Sequence, residues 1–318
     1  MKTPTRLIRP AVILLLSAGC RPDSAIVDPE APNDVSVPLL ASARYSEWSP
    51  PVNFGPIVNS PFVDQTPALS PDGLSLYFLS TRPGGLGSAD LWVSRRASED
   101  DQWGVPVNLG PPVNTAFVDA APYVSHDGHQ LFLSSDRPGG FGQPDVWVSR
   151  RTHTHDDFAW ETPVNVGPPV SSPMFEGGAT IHGPEFYFSR GPSGVVPHDI
   201  YLSRMRGDVF ATPEVVAELS SAADERRPSI RFDGLEIFFL SDRPGGQGLA
   251  DIWTSTRRGN GTPWSPPVNL GPGINGAFID VTPSLSHDGT TLVFASNRPG
   301  GSGGLDLYYT TRSIGGSK

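Results

Sequence analysis

The sequence predicts an all-β protein: a five-bladed β-propeller built from four-stranded antiparallel blades. Glycine and proline are unusually abundant, at 35 residues each, while 37% of the residues are hydrophobic. Without a collagen-like period, and with apolar residues alternating along the chain, this composition favours many short strands joined by turns. The chain also repeats one unit five times, and all seven tryptophans fall at two positions of that unit.

The repeat is defined by its aromatic residues. Successive units begin at spacings of 55, 57, 50 and 54 residues, and their first residues are Trp48, Trp103, Trp160, Phe210 and Trp264. The second aromatic position lies in a D-[LIV]-[WY] segment and holds Trp92, Trp147, Tyr201, Trp253 and Tyr308. A period of this length indicates a repeat architecture.

Each unit contains four strand signals separated by turns. In the first unit, residues 48–53 form a short strand, and residues 66–70 lead into the hairpin signal Pro71-Asp72-Gly73. Residues 74–80 return as an alternating strand, and residues 90–94 form the last strand after a glycine-rich loop. A sheet of this size cannot bury both faces alone, whereas radial stacking of five such sheets can.

The two ends of the repeat region predict how the ring closes. The last copy lacks the strand that follows each D-[LIV]-[WY] segment, and the strand at residues 48–53 has no blade before it. The N-terminal strand is therefore expected to pair into the last blade. Residues 21–47 are too short and too polar for a sixth blade.

The repeat resembles a known family. The turn Ser-Pro-Asp-Gly at residues 70–73, the strand after it, and the motif S-D-R-P-G-G-x-G-x-x-D-[IL]-[WY] are similar to the WD-like propeller repeats of the TolB type. The resemblance covers residues 48–312. Such repeats also occur beside OmpA-like domains, so the resemblance implies a cell-envelope or peptidoglycan-linked role, although one fold serves many functions.

The N-terminus carries an export signal. Lys2, Arg6 and Arg9 precede a short apolar run at residues 11–16, which is too short to span a bilayer, and the segment ends at Cys20. Leu-Ser-Ala-Gly-Cys resembles a bacterial lipobox, which implies cleavage before Cys20 and acylation of its thiol. An ordinary secretory signal with an incidental cysteine is the alternative.

These features divide the chain into three parts. Residues 1–19 are the predicted lipoprotein signal peptide, residues 20–47 the lipidated cysteine and a flexible tether, and residues 48–313 the propeller. By the resemblance, Arg21 after the cysteine implies no retention at the inner membrane. The expected location is the outer membrane, with the domain on the periplasmic or cell-surface side.

The net charge limits the class of partner. Removing residues 1–19 takes away three of 23 basic residues and none of 33 acidic ones, so the net charge changes from −10 to −13. This charge excludes a nucleic-acid partner, whose phosphates require a basic surface. The expected partners are an envelope protein, a peptide or a glycan, together with the membrane through the lipid anchor, and the protein is expected to be a monomer.

Three side chains per unit are predicted to meet at one rim, because the innermost strand begins at the end to which the Arg-Pro-Gly-Gly loop returns. A carboxylate lies just before the innermost strand at Asp64, Asp119, Glu176, Glu225 and Asp280. The loop contributes Arg82, Arg137, Arg243 and Arg298, with Arg190 aligned in the third unit. The loop ends at Asp90, Asp145, Asp199, Asp251 and Asp306.

Two interpretations of this rim remain open. Five carboxylates around a narrow channel repel one another and require cations. Either each arginine pairs with the carboxylate of its own blade and holds the loop, or the rim binds a ligand. No cofactor is predicted, although a divalent cation at the channel mouth would meet the same need.

Two further features depart from the repeat. The third unit has Ile-His-Gly-Pro-Glu at residues 181–185 and Gly-Pro-Ser-Gly at residues 191–194, which marks either a specialised site or drift. His126 and His287 occupy the hairpin position of Pro71 and are interpreted as turn residues.

The remaining polar cluster lies just before Trp160. His153, His155, Asp156 and Asp157 do not match the spacing of a metal-binding motif, so they are interpreted as a solvated loop, and no metal ligand is predicted. The chain also lacks the G-x-S-x-G and H-E-x-x-H motifs.

The leading functional hypothesis is a non-enzymatic envelope lipoprotein whose propeller binds or scaffolds an envelope protein, peptide or glycan. The alternative is a glycoside hydrolase-type enzyme, because several five-bladed propellers cleave glycans with carboxylates around the central mouth. That chemistry needs a protonated acid and an ionised base or nucleophile at about 5–10 Å. Asp64, Asp119 and Glu176 are the candidates for these roles.

Overall fold

The structure is a computed structural model that describes residues 45–192, 194 and 196–315. It is built from strands, turns and loops. The predicted signal peptide, Cys20 and most of the predicted tether lie outside the described residues. No helix in the described part of the chain is long and apolar enough to cross a membrane.

The strands form five antiparallel sheets in chain order, as predicted. Blade 1 contains β2 (Asp64–Leu69), β3 (Ser75–Ser80), β4 (Asp90–Arg95) and β5 (Val107–Asn108). Blade 2 contains β6 (Asp119–Val124), β7 (Gln130–Ser135), β8 (Asp145–Arg150) and β9 (Val164–Asn165). Blade 4 contains β15 (Glu225–Ile230), β16 (Glu236–Ser241), β17 (Asp251–Thr256) and β18 (Val268–Asn269).

Blade 3 differs in its outer part. Its first strands are β10 (Phe175–His182), β11 (Glu185–Gly191) and β12 (Asp199–Arg206). The outer position is shared by β13 (Val209–Phe210) and β14 (Glu214–Val215), which both pair with β12. The third blade, whose sequence departs from the repeat, thus has longer inner strands and a divided outer strand.

Blade 5 closes the ring. It contains β19 (Asp280–Leu285), β20 (Thr291–Ser296), β21 (Asp306–Thr311) and, as its outer strand, the N-terminal β1 (Val52–Asn53). Val52 pairs with Tyr309 and Asn53 pairs with Tyr308. The predicted closure by the N-terminal strand is confirmed.

The core lies between neighbouring blades and is rich in aromatic residues. Phe78, Phe132, Phe186, Phe238 and Phe294 in the second strands are at most 2% exposed. Burial of one such side chain contributes about 1.5–3 kcal/mol. The domain is therefore held together by packing of apolar side chains between sheets.

The aromatic residue that opens a unit has a structural partner in the preceding unit. An arginine just after the third strand of a blade lies over the ring of the next opening tryptophan, with guanidinium-to-centroid distances of 4.1–4.6 Å. The pairs are Arg96–Trp103, Arg151–Trp160, Arg257–Trp264 and Arg312–Trp48. These cation–π contacts explain why the position retains tryptophan.

Each innermost strand carries a bulge that faces the central channel. The register shifts in all five blades at the same place. The residue at the bulge has φ between 51° and 64°, and these residues are Thr66, Ala121, Gly178, Arg227 and Thr282. A single arginine therefore occupies a position that is otherwise held by small residues.

Candidate functional site

The molecule has two ends that differ in chemistry. We call the end with the Arg-Pro-Gly-Gly loops the loop face, and the end with the turns that join the first and second strands of each blade the hairpin face. Sequence reasoning placed the candidate site on the loop face. The structure places an open pocket on the hairpin face.

On the loop face, every predicted rim carboxylate forms an ion pair with the arginine of its own blade. The N–O distances lie between 2.5 and 3.0 Å, and all five carboxylate residues are 0% exposed. The pairs are Asp64–Arg82, Asp119–Arg137, Glu176–Arg190, Glu225–Arg243 and Asp280–Arg298. We call these ten residues the rim ring.

Further hydrogen bonds close the rim ring. Each carboxylate accepts a backbone N–H from the residue four positions earlier, as in the bond from Ser60 to Asp64 at 2.6 Å. Each arginine also donates to a backbone carbonyl, as Arg82 does to Val58 at 2.7 Å. The arginines thus supply the cations that the carboxylates require, and the ring holds the loop against the innermost strand.

Blade 3 forms the same ion pair from a different sequence position. Arg190 lies opposite Glu176 in the strand register, where the other blades have a serine such as Ser135. It therefore replaces both that serine and the loop arginine, with Nε bonded to Glu176 at 2.9 Å and Nη2 bonded to the carbonyl of Val170 at 2.6 Å. The pairing persists although the loop sequence has changed.

The aspartates at the ends of the loops hold the glycine segments. Asp90 accepts the backbone N–H of Leu86 at 2.6 Å, and Asp145 accepts that of Phe141 at 2.5 Å. A Cβ atom on Gly85 would lie 1.7 Å from Asp90 Oδ2. The loop therefore requires glycine there for packing against its own aspartate.

Glu176 has a pKa that its surroundings shift. Burial raises the pKa of Glu176 to about 7, against hydrogen bonds from Ser172 and the charge of Arg190, which lower it. The side chain is nevertheless enclosed by these same partners. Asp64, Asp119 and Glu176, the candidates for hydrolytic chemistry, are thus all buried and bonded rather than presented to a substrate.

The cluster before Trp160 is only partly the solvated loop that the sequence predicts. His153 and His155 are exposed. Asp157 is 1% exposed and bonds to Arg151 at 3.0 Å and to Arg95 at 2.5 Å. Asp157 therefore joins this loop to the neighbouring blades.

The hairpin face contains a pocket of about 540 Å³ at the end of the central channel. All five blades contribute to it, with apolar walls such as Leu69, Ile181 and Leu285 and polar groups from the hairpin turns. A concave, mostly apolar pocket of this size with a few convergent polar groups is typical of small-molecule sites.

Three aromatic rings meet at this pocket. His126 of blade 2 and His287 of blade 5 have ring centroids 3.7 Å apart, and both contact Phe232 of blade 4, at 4.1 and 4.2 Å. Blades 2 and 5 are not neighbours in the ring, so this contact extends across the pocket. His182 of blade 3 also lines the pocket.

The local environment adjusts the protonation of these groups. Burial lowers the pKa of both His126 and His287, and the proximity of His126 lowers that of His287 further. Hydrogen bonds from Ser125 and the backbone of His129 hold the pKa of Asp127 below its usual value, although burial opposes them. The pocket therefore contains two coupled imidazoles next to an ionised carboxylate.

The interpretation of His126 and His287 as turn residues did not foresee that they meet. Both do occupy hairpin turns, but their side chains converge above the pocket. One signal was present in the sequence: this turn position varies from blade to blade, whereas the rim ring repeats. Which varying side chains meet depends on the closure of the ring.

Comparison with known proteins gives similarity at the level of structure. No protein-family model and no curated protein matches the chain. An α-L-arabinofuranosidase from Lactobacillus brevis has a TM-score of 0.55 at 13% identity, over 81% of this chain and 92% of that one. The catalytic domain of a GH62 α-L-arabinofuranosidase from Coprinopsis cinerea has a TM-score of 0.52 at 12% identity, over 85% and 96%.

TolB from Acinetobacter baumannii aligns with a TM-score of 0.49 at 16% identity, over 81% of this chain and 56% of that one. Four matched structures with TM-scores of 0.51–0.55 are glycoside hydrolases. This finding contradicts the leading hypothesis of a non-enzymatic binding or scaffold module. At these identities the similarity establishes the fold, and the fold is a five-bladed β-propeller.

Proposed function

We propose that the protein is an enzyme that cleaves a glycosidic bond, and that its substrate binds in the hairpin-face pocket. Structurally similar proteins of this fold include α-L-arabinofuranosidases and a family-43 glycoside hydrolase. The observation that carries the proposal is that the pocket unites acid–base side chains at a turn position whose residue type differs between blades. A site singles out particular blades, whereas a scaffold repeats in all of them.

The paired imidazoles supply the proton transfers. Glycosidic cleavage requires one group that protonates the leaving oxygen and one that accepts a proton from water. With ring centroids 3.7 Å apart, His126 and His287 act as one unit: the imidazolium donates its proton to the leaving oxygen, and the pair, then neutral, takes a proton back from the attacking water. Phe232 and Tyr123 offer ring surfaces for the apolar side of a sugar.

The rim ring has a different role in this proposal. Its carboxylates are buried and bonded to arginine in every blade, so we assign them to the scaffold. Glu176 is included in this assignment despite its raised pKa, because it forms the same contacts as its equivalents.

The test measures hydrolysis by the full chain on a panel of p-nitrophenyl glycosides that includes the α-L-arabinofuranoside, and on arabinan. His126→Asn and His287→Asn should each lower kcat at least 100-fold, which is the lower end of the contribution of general acid–base catalysis. The matched control is His153→Asn, since His153 is exposed and lies outside the pocket. Full activity in both pocket variants, or loss of activity only in Glu176→Gln, would overturn the proposal.

We also propose that the enzyme is exported and anchored to the outer membrane through Cys20, as the lipobox resemblance implies. The acidic charge and the cleavage of an extracellular or periplasmic glycan are consistent with this location. Incorporation of an alkyne-labelled palmitate should be lost in Cys20→Ala. Labelling that survives this substitution would contradict the anchor.

A further inference from the structure

The central channel contains a cation whose charge no described residue neutralises. Four of the five bulge positions hold threonine, alanine or glycine, and Arg227 of blade 4 occupies the fifth. Thr66 and Ala121 adopt nearly the same backbone conformation, with φ of 51° and 54° against 58° for Arg227. The strand therefore forms its bulge without needing an arginine side chain.

Part of the Arg227 guanidinium is buried without a hydrogen-bond partner among the described residues. Its Nη1 exposes less than 1 Å² and has no hydrogen-bond partner among the described residues. Arg226 is bonded to Asp224 at 2.7 Å, but its Nε is also buried without a partner. Burial and the charge of Arg226 lower the pKa of Arg227 to about 9, so the group is still a cation at neutral pH.

Blade 3 provides the space for this side chain. A Cβ atom on Gly178 would lie 2.7 Å from Cδ of Arg227 and 3.2 Å from its Cα. The side chain thus lies across the glycine of the neighbouring blade. Any larger residue at position 178 would displace it.

A small cavity is lined in part by Arg227 and adjoins the hairpin-face pocket. It measures about 30 Å³ and is lined by Arg227, the other bulge residues and the prolines that follow them. A cavity needs roughly 10–15 Å³ to hold one water-sized group, so this cavity holds about two such groups. It shares Tyr123, Ser229 and Ser284 with the pocket, and therefore forms its inner end.

We propose that Arg227 binds a carboxylate at the inner end of the hairpin-face pocket, and that the substrate class is therefore an acidic sugar of the uronate type. Arg227 has an unpaired, enclosed nitrogen, and a bidentate carboxylate is the group that a guanidinium fits best. The cavity accommodates two oxygen-sized groups, and the rest of a monosaccharide would lie in the pocket. That the bound carboxylate belongs to a substrate rests on the proposed function. The anion site at Arg227 does not depend on that function.

The experiment measures binding without turnover. Calorimetric titration of the full chain with D-glucuronate, D-glucose and acetate compares an acidic sugar, its neutral counterpart and a free carboxylate. We expect D-glucuronate to bind at least tenfold more tightly than either of the others. Arg227→Met should abolish that preference, and Arg227→Lys should retain only part of it, since lysine keeps the charge without the paired N–H groups.

The control variant is Arg206→Gln, because Arg206 is an exposed arginine outside the channel. It should leave the preference unchanged. Equal binding of D-glucuronate and D-glucose, or an unchanged preference in Arg227→Met, would overturn the anion site. Acetate binding as tight as that of D-glucuronate would overturn the acidic sugar and identify a free small anion as the ligand.

Failure of this inference and failure of the proposed function give different results. Tight D-glucuronate binding without hydrolysis of any glycoside contradicts the enzyme but not the anion site. Hydrolysis of neutral glycosides that depends on His126, without any preference for D-glucuronate, contradicts the anion site but not the enzyme.

Discussion

The two faces of the propeller use equivalent positions in opposite ways. On the loop face, each blade forms the same carboxylate–arginine pair, and blade 3 forms it even though Arg190 comes from a different position of the repeat. On the hairpin face, the residue that begins the turn is Pro71, His126, Phe232 or His287, depending on the blade. An ion pair that forms in every blade, even where the sequence of the blade has changed, is needed by the fold. Side chains that differ between blades are not needed by the fold in this way and can bind a substrate.

The largest effect is expected from removing one carboxylate of the rim ring. Asp119→Ala leaves Arg137, which is 8% exposed, as a buried cation without its partner. Breaking such a pair should lower the free energy of unfolding by about 3–5 kcal/mol. Urea unfolding followed by tryptophan fluorescence measures this change.

The control for this variant is Asp208→Ala, because Asp208 pairs with Arg150 at the surface and its side chain is 75% exposed. It should change the unfolding free energy by less than about 1 kcal/mol. A small effect of Asp119→Ala would show that the rim ring is dispensable for stability and would reopen it as a site.

A smaller loss is expected from the glycine loops. Gly85→Ala places a Cβ atom 1.7 Å from Asp90 Oδ2, so the loop must shift. Overpacking of this kind should cost about 1–3 kcal/mol. Gly273→Ala, which meets no atom within 4 Å, is the matched control, and equal stability of the two variants would contradict a packing role for the loop.

The sequence predicts the architecture well because the repeat itself carries the information. The tryptophan period, the Pro-Asp-Gly turn and the missing last strand give five blades and closure by β1, all of which the structure has. The site is harder to predict, since exposure depends on how loops pack over side chains. The repeat left open whether Arg82 pairs with Asp64 or the rim binds a ligand, nothing near Asp64 shows that Ser60 also encloses it, and nothing near His126 shows that it meets His287.

Arg227 offers the one substitution expected to stabilise the protein. Arg227→Met removes a charge that has no described partner and retains most of the side-chain volume. The unfolding free energy should rise by about 1 kcal/mol in buffer without added anions, which is the lower end of the cost of an unsatisfied buried group. Arg206→Gln should have no effect, and destabilisation by Arg227→Met would indicate that the guanidinium is satisfied in solution.

The hairpin face should show its chemistry in the pH dependence of activity rather than in stability. The pKa values of His126 and His287 lie below the ordinary 6.5, so the pair loses its last proton as the pH rises through the range below 6.5. Because catalysis requires that proton, kcat should be highest at acidic pH and should fall towards neutrality. A plateau of kcat extending above pH 8 would exclude the imidazoles as the proton donor.

The last effect concerns the pH dependence of stability and arises from Glu176. Its pKa in the folded protein is about 7, above the ordinary 4.5, so its contribution to stability is fully present below pH 4.5 and is lost as the pH rises through 7. Glu176→Gln keeps the shape of the neutral carboxylic acid and should remove this pH dependence. The melting temperature of the variant, relative to that of the unsubstituted protein, should therefore rise between pH 5 and pH 8. Glu225→Gln, at the same position of blade 4, measures how loss of the ion pair alone changes the melting temperature. If both variants shift in parallel with pH, Glu176 is ionised like a paired carboxylate, and the third blade departs from the others in sequence but not in the electrostatics of its rim.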